Sequence, residues 1–318
     1  MDSLAIIIPA YKDSFLKNTL ESIANQTEKN FNLYICNDNS PYDIDNIVDN
    51  FKRKYSIPLK YIKFKENLGG RDLVAHWERC VKQTANESLI WLFSDDDIIE
   101  CNCVENLFKA VNKNPNIDVF HFNLSIINTN NNVIKFCTEF PELISSEKFF
   151  ALLYEGKIDA RMPEFVFRRK RYEECGGFIP FDLAWRSDNA TVINLAANNG
   201  IITIPHSKVL WRLSDENISA HYDSSICKRK DASTINFFNW VNNYFINIGL
   251  KYVISTFKLE LAYSSHLFKI RKIKSPLKIL QISAEYNYNT NIYRKIMFII
   301  ATYYIKMRII KNKLLNLK

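Results

Sequence analysis

The feature that most constrains the fold is an alternation of short apolar runs with helix-like stretches over residues 1–112. The runs are continuously apolar, as in strands buried on both faces of a parallel sheet. The stretches between them repeat apolar residues every three or four positions, as in amphipathic helices. The predicted strands are Leu4–Ile8, Asn32–Cys36, Leu59–Phe64 and Ser88–Phe93, and the predicted helices are Leu16–Ala24, Asp43–Tyr55, Asp72–Gln83 and Cys103–Asn112. This order predicts an α/β fold with a mostly parallel sheet that helices cover on both faces.

A polar segment follows each predicted strand. The four segments are Pro9–Asp13, Asn37–Ser40, Asn67–Arg71 and Ser94–Asp97. Because ligands of such sheets bind beyond the carboxyl ends of the strands, we expect the segments to form a ligand site on one rim. Neither GxGxxG nor GxxxxGK[ST] occurs in the sequence. A dinucleotide-binding Rossmann site and a phosphate-binding P-loop are therefore disfavoured.

The pattern changes in the second half of the chain. Ile117–Asn123 and Val133–Phe140 resemble strands around an Asn-rich turn, which predicts a mixed sheet there. From about Ser224 the sequence is helical, with Gly249 and Pro276 as its only glycine and proline. We predict a domain over residues 1–220 that carries the site and a basic, aromatic-rich helical region over residues 221–318.

Charge is unevenly distributed along the chain. Residues 1–215 contain 25 Lys/Arg and 29 Asp/Glu, whereas residues 216–318 contain 17 Lys/Arg and 5 Asp/Glu. The strongly basic second part favours an anionic partner, either a nucleic acid or a membrane surface. The short basic run Arg168–Arg171 is interpreted as a solvated face.

The amino-terminal segment lacks the features of a secretory signal. Asp2 stands where a signal peptide has basic residues, and the apolar run stops at Pro9. The longest apolar candidate for a membrane span, Met297–Ile305, is shorter than the roughly 20 residues that a span needs. We therefore expect a cytoplasmic protein.

The acidic triplet Asp95, Asp96 and Asp97 allows two interpretations. Adjacent carboxylates repel one another unless a cation compensates their charge, and carboxylate oxygens suit Mg²⁺ or Mn²⁺ bound together with phosphates. Alternatively, the triplet is a solvated turn in which Asp97 caps the next helix. Its position on the expected rim favours the metal site.

Other polar positions are similarly ambiguous. Asp38 could accept a hydrogen bond from a nucleobase or ribose, or it could form an Asx-turn or a helix N-cap. The glycines Gly69 and Gly70 allow the backbone to approach a ligand closely, and Arg71 could pair with a phosphate or with a nearby carboxylate. Asp188 could be a general base, or it could be the N-cap of the helix that follows.

In this order, the elements resemble those of the family 2 glycosyltransferases with the GT-A fold, over about residues 3–220. The segments that carry the resemblance are Ile6–Tyr11, Asn37–Ser40, Asn67–Arg71, Phe93–Asp97, Gly176–Phe178, Ser187–Asp188 and Trp211–Ser219. Taken in the same order, these segments resemble the family's opening strand, DDGS-type element, N-x-G element, DxD region, GGF element, ED pair and loop over the donor. The sequence departs from the family at Ser94 and Ser187, where acids are usual.

The resemblance implies a GT-A sheet, mostly parallel or mixed, with a Rossmann-like nucleotide-binding half and a helical C-terminal extension. It implies Asp188 as the catalytic base and Asp95, Asp96 and Asp97 as candidate metal ligands. The residues implied to bind the nucleotide sugar are Pro9, Ala10, Tyr11, Asp13, Asp38, Asn67, Gly69, Arg71, Asp95, Asp96 and Arg212.

The implied reaction is transfer of a sugar from a nucleotide sugar, with a UDP-sugar favoured, to an acceptor hydroxyl with inversion and with help from Mg²⁺ or Mn²⁺. A surface polysaccharide or lipid-linked glycan would be the acceptor. The basic C-terminal region would then contact the inner face of the cell membrane rather than a nucleic acid, or it is a helical subdomain with an ordinary solvated basic face. The alternatives are a catalytically inactive GT-A-like scaffold of a polysaccharide assembly complex, and a nucleotidyltransferase. A nucleotidyltransferase would normally show a basic Gly-rich triphosphate loop, which Pro9–Asp13 is not.

Overall fold

The computed structural model describes residues 2–217, 223–249, 260–261, 263–265, 275–285 and 292–315. The chain divides into two compact units, Met1–Ala220 and His221–Lys318. The first unit contains a ten-stranded sheet. The described part of the second unit is helical.

Four parallel strands form the first half of the sheet. They are β1 (Leu4–Ala10), β2 (Phe31–Asn37), β3 (Leu59–Lys63) and β4 (Leu89–Leu92), in the spatial order β3-β2-β1-β4. The helices that connect them are α1 (Leu16–Ala24), α2 (Ile44–Lys54) and α3 (Leu73–Val81). All of β4 and all but one residue of β1 are buried. This burial explains why both strands are continuously apolar rather than alternating.

The second half of the sheet is mixed. Its strands are β5 (Ile98–Ile99), β6 (Val119–Ile127), β7 (Val133–Phe136), β8 (Leu143–Ile144), β9 (Phe165–Arg168) and β10 (Ile201–Arg212). Strand β9 is antiparallel to both β4 and β6 and thereby joins the two halves. Strand β10 runs parallel to β6 and pairs antiparallel with β5 and β8. The helices are α4 (Cys103–Lys113), α5 (Ser146–Tyr154), α6 (Arg169–Glu174) and α7 (Ser187–Leu195), with 3₁₀ turns at Met162–Glu164 and Asp182–Ala184.

The predicted α/β fold with a parallel and mixed sheet is confirmed. The four parallel strands and the four helices after them begin and end within two residues of their predicted bounds. The later prediction is less accurate, because β6 begins at Val119 and continues to Ile127. Strand β7 stops at Phe136, and all four of its residues are exposed.

The interpretation of Arg168–Arg171 as a solvated face is wrong for its three arginines. Arg168 ends β9, which lies between β4 and β6 inside the sheet. The guanidinium groups of Arg168, Arg169 and Arg171 donate to backbone carbonyl oxygens at 2.8, 2.7 and 3.1 Å. These bonds hold the start of α6, and Lys170 is the exposed residue of the run.

The carboxyl ends of the parallel strands are tied to one another. The backbone N–H of Asp38 donates to the carbonyl of Ala10 at 2.9 Å, and that of Phe93 donates to Ile7 at 2.8 Å. The polar segments that follow β1, β2 and β4 therefore begin next to one another on one rim of the sheet.

The described helices of the second unit are α8 (Ser224–Asn247), α9 (Pro276–Glu285) and α10 (Ile292–Leu315). Within the described parts of the chain, we find no helix long and apolar enough to cross a membrane. Helix α10 exposes apolar side chains that recur every three or four positions on one face. They are Ile292, Ile296, Ile299, Ile300, Tyr303, Tyr304, Met307 and Ile310.

Candidate active site

A cavity of about 660 Å³ opens on this rim of the first unit. Eight of the residues predicted for the site line it: Pro9, Tyr11, Asp38, Asn67, Gly69, Asp95, Asp96 and Asp188. They come from segments that are far apart in sequence, and the parallel strands bring most of them together. A concave site with a few convergent polar groups is the form in which proteins usually bind small ligands.

Asp38 holds the loop after β3 against the end of β2. Its side chain is 3% exposed, and its carboxylate accepts the backbone N–H groups of Leu68 and Gly69 at 2.9 and 2.7 Å. Arg79 of α3 forms an ion pair with the same carboxylate. A Cβ atom at position 69 would lie 2.7 Å from Asp38 Oδ2, so this close approach requires glycine. Asp38 therefore supports the cavity wall and also faces the cavity.

Asp95 and Asp96 are held by the loop after β1. Asp95 Oδ2 accepts the backbone N–H groups of Tyr11 and Lys12 at 2.9 and 2.8 Å. The ammonium of Lys12 contacts both carboxylates, since Nζ is 3.3 Å from Asp95 Oδ1 and forms an ion pair with Asp96 Oδ2. Burial lowers the pKa of Lys12, but the two carboxylates outweigh burial and raise that pKa above its ordinary value. Burial and the charge of Asp95 raise the pKa of Asp96.

Asp97 is directed away from the cavity. Its carboxylate accepts the backbone N–H of Arg212 at 2.7 Å and the hydroxyl of Ser94. Burial and the charge of Asp96 raise its pKa to about 8. It is not the cap of the next helix, because α4 has Asn102 at that position. Asp97 thus stabilises the turn after β4, and its position does not support the prediction that it is a metal ligand.

Arg212 lies behind the acidic turn rather than on the cavity wall. It is fully buried, and its guanidinium donates to Asp96 O, Asn128 O and Asn131 Oδ1 at 2.7, 2.8 and 2.7 Å. Phe15 stacks on it, with 4.3 Å between the guanidinium carbon and the ring centre. Because these contacts use all three of its nitrogens, the expectation that Arg212 binds the donor is corrected to a structural role.

Three further predicted binding residues also do not line the cavity. Ala10 is fully buried in β1. Asp13 uses its carbonyl to accept the N–H of Leu16 at the start of α1, at 3.3 Å. Arg71 is exposed, and its guanidinium pairs with Glu66 at 2.6 Å, because the loop after β3 presents Asn67 and Gly69 to the cavity instead.

Asp188 lies in the first turn of α7, on the cavity wall. The N-cap of this helix is Arg186, in the left-handed conformation with φ 81°, so the alternative role of Asp188 as N-cap is not realised. Burial raises the pKa of Asp188, while the charges of Arg186 and Arg161 oppose that rise. A partly desolvated carboxylate with a raised pKa is suited to accept a proton from a bound molecule.

Several cavity residues were missed by the sequence reasoning. They are Lys12, His76, Trp77, Arg161, Trp185 and Arg186. Burial lowers the pKa of His76 to about 4, and the Arg161 guanidinium lies 4.8 Å from the centre of the Trp211 ring. Lys12 alone carried a signal, since it stands inside the first polar segment of the rim. In the loop Trp211–Ser219, the residues from 218 onward lie outside the described residues.

Asp95 and Asp96 suit a hard divalent cation by their chemistry. No group of three or more His, Cys, Asp or Glu side chains in the described ranges is arranged to hold a metal ion. Mg²⁺, however, commonly uses one or two carboxylates together with substrate phosphates. Asp95 and Asp96 therefore fit a two-carboxylate site, and the Lys12 ammonium contacts oxygens of the same two carboxylates.

The fold is similar to that of solved glycosyltransferase structures. S. aureus TarS 1-349 in complex with UDP-GlcNAc is 14% identical with a TM-score of 0.59, covering 98% of this chain and 92% of that chain. The mannosyltransferase PcManGT from Pyrobaculum calidifontis in complex with GDP-Man and Mn²⁺ is 14% identical with a TM-score of 0.54, covering 96% and 87%. GalNAc-T7 with UDP, GalNAc and Mn²⁺ is 11% identical with a TM-score of 0.55, covering 86% and 54%.

No curated protein gives a significant sequence match. Residues 5–176 match the sequence model of the family described as glycosyl transferase family 2. This match spans more than half of the chain and includes the rim segments after all four parallel strands. On this evidence the chain belongs to glycosyl transferase family 2, and it is a glycosyltransferase with the GT-A fold.

Proposed function

We propose that the protein transfers a sugar from a nucleotide-sugar donor to an acceptor hydroxyl with inversion, and that the cavity on the rim holds the donor. The observation that carries this proposal is the presence of Asp38, Asp95, Asp96 and Asp188 in the lining of one cavity. Asp38, with the loops that carry Pro9, Tyr11, Asn67 and Gly69, binds the nucleoside. Asp95 and Asp96 would hold a divalent cation that accompanies the diphosphate.

Asp188 is the base of this proposed reaction. It takes the proton of the acceptor hydroxyl while that oxygen attacks the anomeric carbon on the face opposite the leaving nucleoside diphosphate. A single displacement of this kind inverts the configuration. Asp95 and Asp96 would hold Mg²⁺ or Mn²⁺, which supplies charge neutralisation for the departing diphosphate.

The complexes of the similar structures support a nucleotide donor. TarS was solved with UDP-GlcNAc, GalNAc-T7 with UDP and Mn²⁺, and the mannosyltransferase with GDP-Man and Mn²⁺. Two of these three complexes contain a uridine nucleotide, so a UDP-sugar is the first donor to test. The acceptor in this proposal is a growing surface polysaccharide or a lipid-linked glycan.

A thermal-shift panel of nucleoside diphosphates and sugar nucleotides, with and without Mn²⁺ or Mg²⁺, tests the donor site. We expect one nucleotide to raise the unfolding temperature, because a ligand that binds only the folded state stabilises it. Asp96→Ala should reduce this shift, whereas Asp49→Ala, at an exposed position of α2, should leave it unchanged. The absence of a shift with every nucleotide would contradict the proposal.

We further propose that α10 contacts an anionic membrane surface. Its exposed apolar face (Ile292 to Ile310) is accompanied by Lys295, Lys306, Arg308 and Lys311. An apolar face with basic residues is the pattern by which helices lie on anionic lipid. Such contact would bring the enzyme to a lipid-linked acceptor.

Flotation of the full chain with phosphatidylglycerol or phosphatidylcholine vesicles tests this contact. We expect binding to the anionic vesicles, and its loss in the double variant Ile300→Glu/Tyr304→Glu. Leu143→Glu is the control, since Leu143 is an exposed apolar residue of the first unit. Equal binding by wild type and the double variant would overturn the membrane proposal.

A further inference from the structure

The Lys12 ammonium occupies the position where the site needs a cation. It contacts Asp95 Oδ1 at 3.3 Å and forms an ion pair with Asp96 Oδ2. All three side chains line the cavity, and Lys12 retains 24% side-chain exposure against 7% and 9% for the two carboxylates. The ammonium is thus fixed by two acids and still reaches the cavity.

No other Lys or Arg side chain among the described residues forms an ion pair with Asp95 or Asp96. The guanidinium of Arg212 donates to the backbone carbonyl of Asp96 and to two groups of the β6–β7 turn. The neighbouring carboxylate of Asp97 is bonded to a backbone N–H and a hydroxyl. Among the described residues, Lys12 is therefore the cation that is ion-paired with the two cavity-facing acids, and its single positive charge offsets one of their two negative charges.

An ammonium in this place has two physical consequences. It can bind a phosphate oxygen as a point charge, which is a common role of lysine. It also repels a divalent cation that approaches the same carboxylates, because like charges in a partly buried site disfavour each other. The backbone of Lys12 is fixed beside Asp95, since the Lys12 N–H donates to Asp95 Oδ2 at 2.8 Å.

We propose that Lys12 is a ligand of the donor diphosphate, and that its ammonium and a divalent ion are alternative cations at Asp95 and Asp96. Lys12 then supports diphosphate binding without any metal. This inference rests on the proposed function, since it names a further binding residue of the same donor site.

Titration calorimetry with UDP and UMP, in EDTA and in Mn²⁺, separates the diphosphate contribution from that of the nucleoside. In EDTA we expect wild type to bind UDP about tenfold more tightly than UMP, the size expected of one charged hydrogen bond. Lys12→Met should lose this preference in EDTA and regain it in Mn²⁺, because the ion can then take the place of the ammonium. Unchanged UMP affinity shows that Lys12→Met is folded.

Lys12→Arg keeps the charge and should keep the preference for UDP in EDTA. Lys109→Met is the matched control, because Lys109 pairs with Glu105 on the surface of α4, and it should behave as wild type. A wild-type protein that prefers UDP only in Mn²⁺, or a Lys12→Met variant that keeps the preference in EDTA, would overturn the inference alone. Failure of wild type to bind UDP, UMP, GDP or GMP under either condition would overturn the proposed function as well.

Discussion

Arg212→Lys distinguishes a structural role for this residue from a role in donor binding. The guanidinium donates to three acceptors, Asp96 O, Asn128 O and Asn131 Oδ1, and is fully buried. Lysine keeps the positive charge but cannot donate to three acceptors in the fork geometry of arginine. The substitution therefore leaves at least one of these acceptors, of which the Asp96 carbonyl is buried, without its donor.

The magnitude follows from these contacts. Loss of a partner from a buried charged hydrogen bond costs about 1.5–3 kcal/mol. The lysine side chain is shorter than that of arginine, so more than one acceptor loses its hydrogen bond. We expect a loss of about 3 kcal/mol in the free energy of unfolding, which for a unit of this size lowers the unfolding temperature by roughly 6–12 °C. Donor affinity should fall as well, because Asp96 loses the support of its backbone carbonyl.

The test measures the unfolding temperature and the nucleotide affinity of the same samples. The control is Arg71→Lys, since Arg71 is exposed and its guanidinium pairs with the exposed Glu66. Surface changes of this kind alter stability by about 0.5 kcal/mol or less. The reasoning is refuted if Arg212→Lys weakens nucleotide binding while the unfolding temperature stays within about 2 °C of wild type. That result would return Arg212 to the set of direct donor ligands.

Two further predictions concern the wall of the cavity and the core below it. Gly69→Ala places a Cβ 2.7 Å from Asp38 Oδ2. We expect nucleotide affinity to fall about tenfold, since overpacking of this kind costs about 1–3 kcal/mol. Unchanged affinity in titration calorimetry would contradict this prediction. Burial raises the pKa of Glu164, which lies beside the buried His121. The folded state therefore favours the protonated carboxyl, and the protein loses stability as the pH rises and ionisation of Glu164 becomes favourable. Glu164→Gln cannot ionise, and its unfolding temperature relative to wild type should rise from pH 5 to pH 8; a difference independent of pH would refute this.

The parallel half of the sheet could be predicted because its strands are buried on both faces. Continuous apolar sequences such as those of β1 and β4 are typical of strands that are covered on both faces of a sheet. Strand β9 could not be predicted in this way. It is four residues long and ends in Arg168, whose guanidinium is satisfied by a carbonyl more than 50 positions away.

The site was predictable to the extent that strand ends determine it. Asp38 follows β2 directly, and Asp95 and Asp96 lie three and four residues after the end of β4, so the parallel sheet brings them to one rim. Arg212 was assigned to the donor site because its segment resembles the family's loop over the donor, and its sequence position gives no indication of the three acceptors behind the acidic turn. Lys12 was missed because a lysine in a loop is usually solvated, and only the folded structure shows it against two carboxylates.

The most direct test of the central claim is the release of nucleoside diphosphate from a sugar nucleotide by wild type and Asp188→Asn. The assay uses the donor that the thermal-shift panel identifies, with a lipid-linked glycan extract as acceptor. We predict that Asp188→Asn binds the donor as tightly as wild type but releases product at least about 100-fold more slowly, the usual contribution of a general base. Equal rates of release by the two proteins would contradict the assignment of this cavity, with Asp188 as its base, as the site of glycosyl transfer.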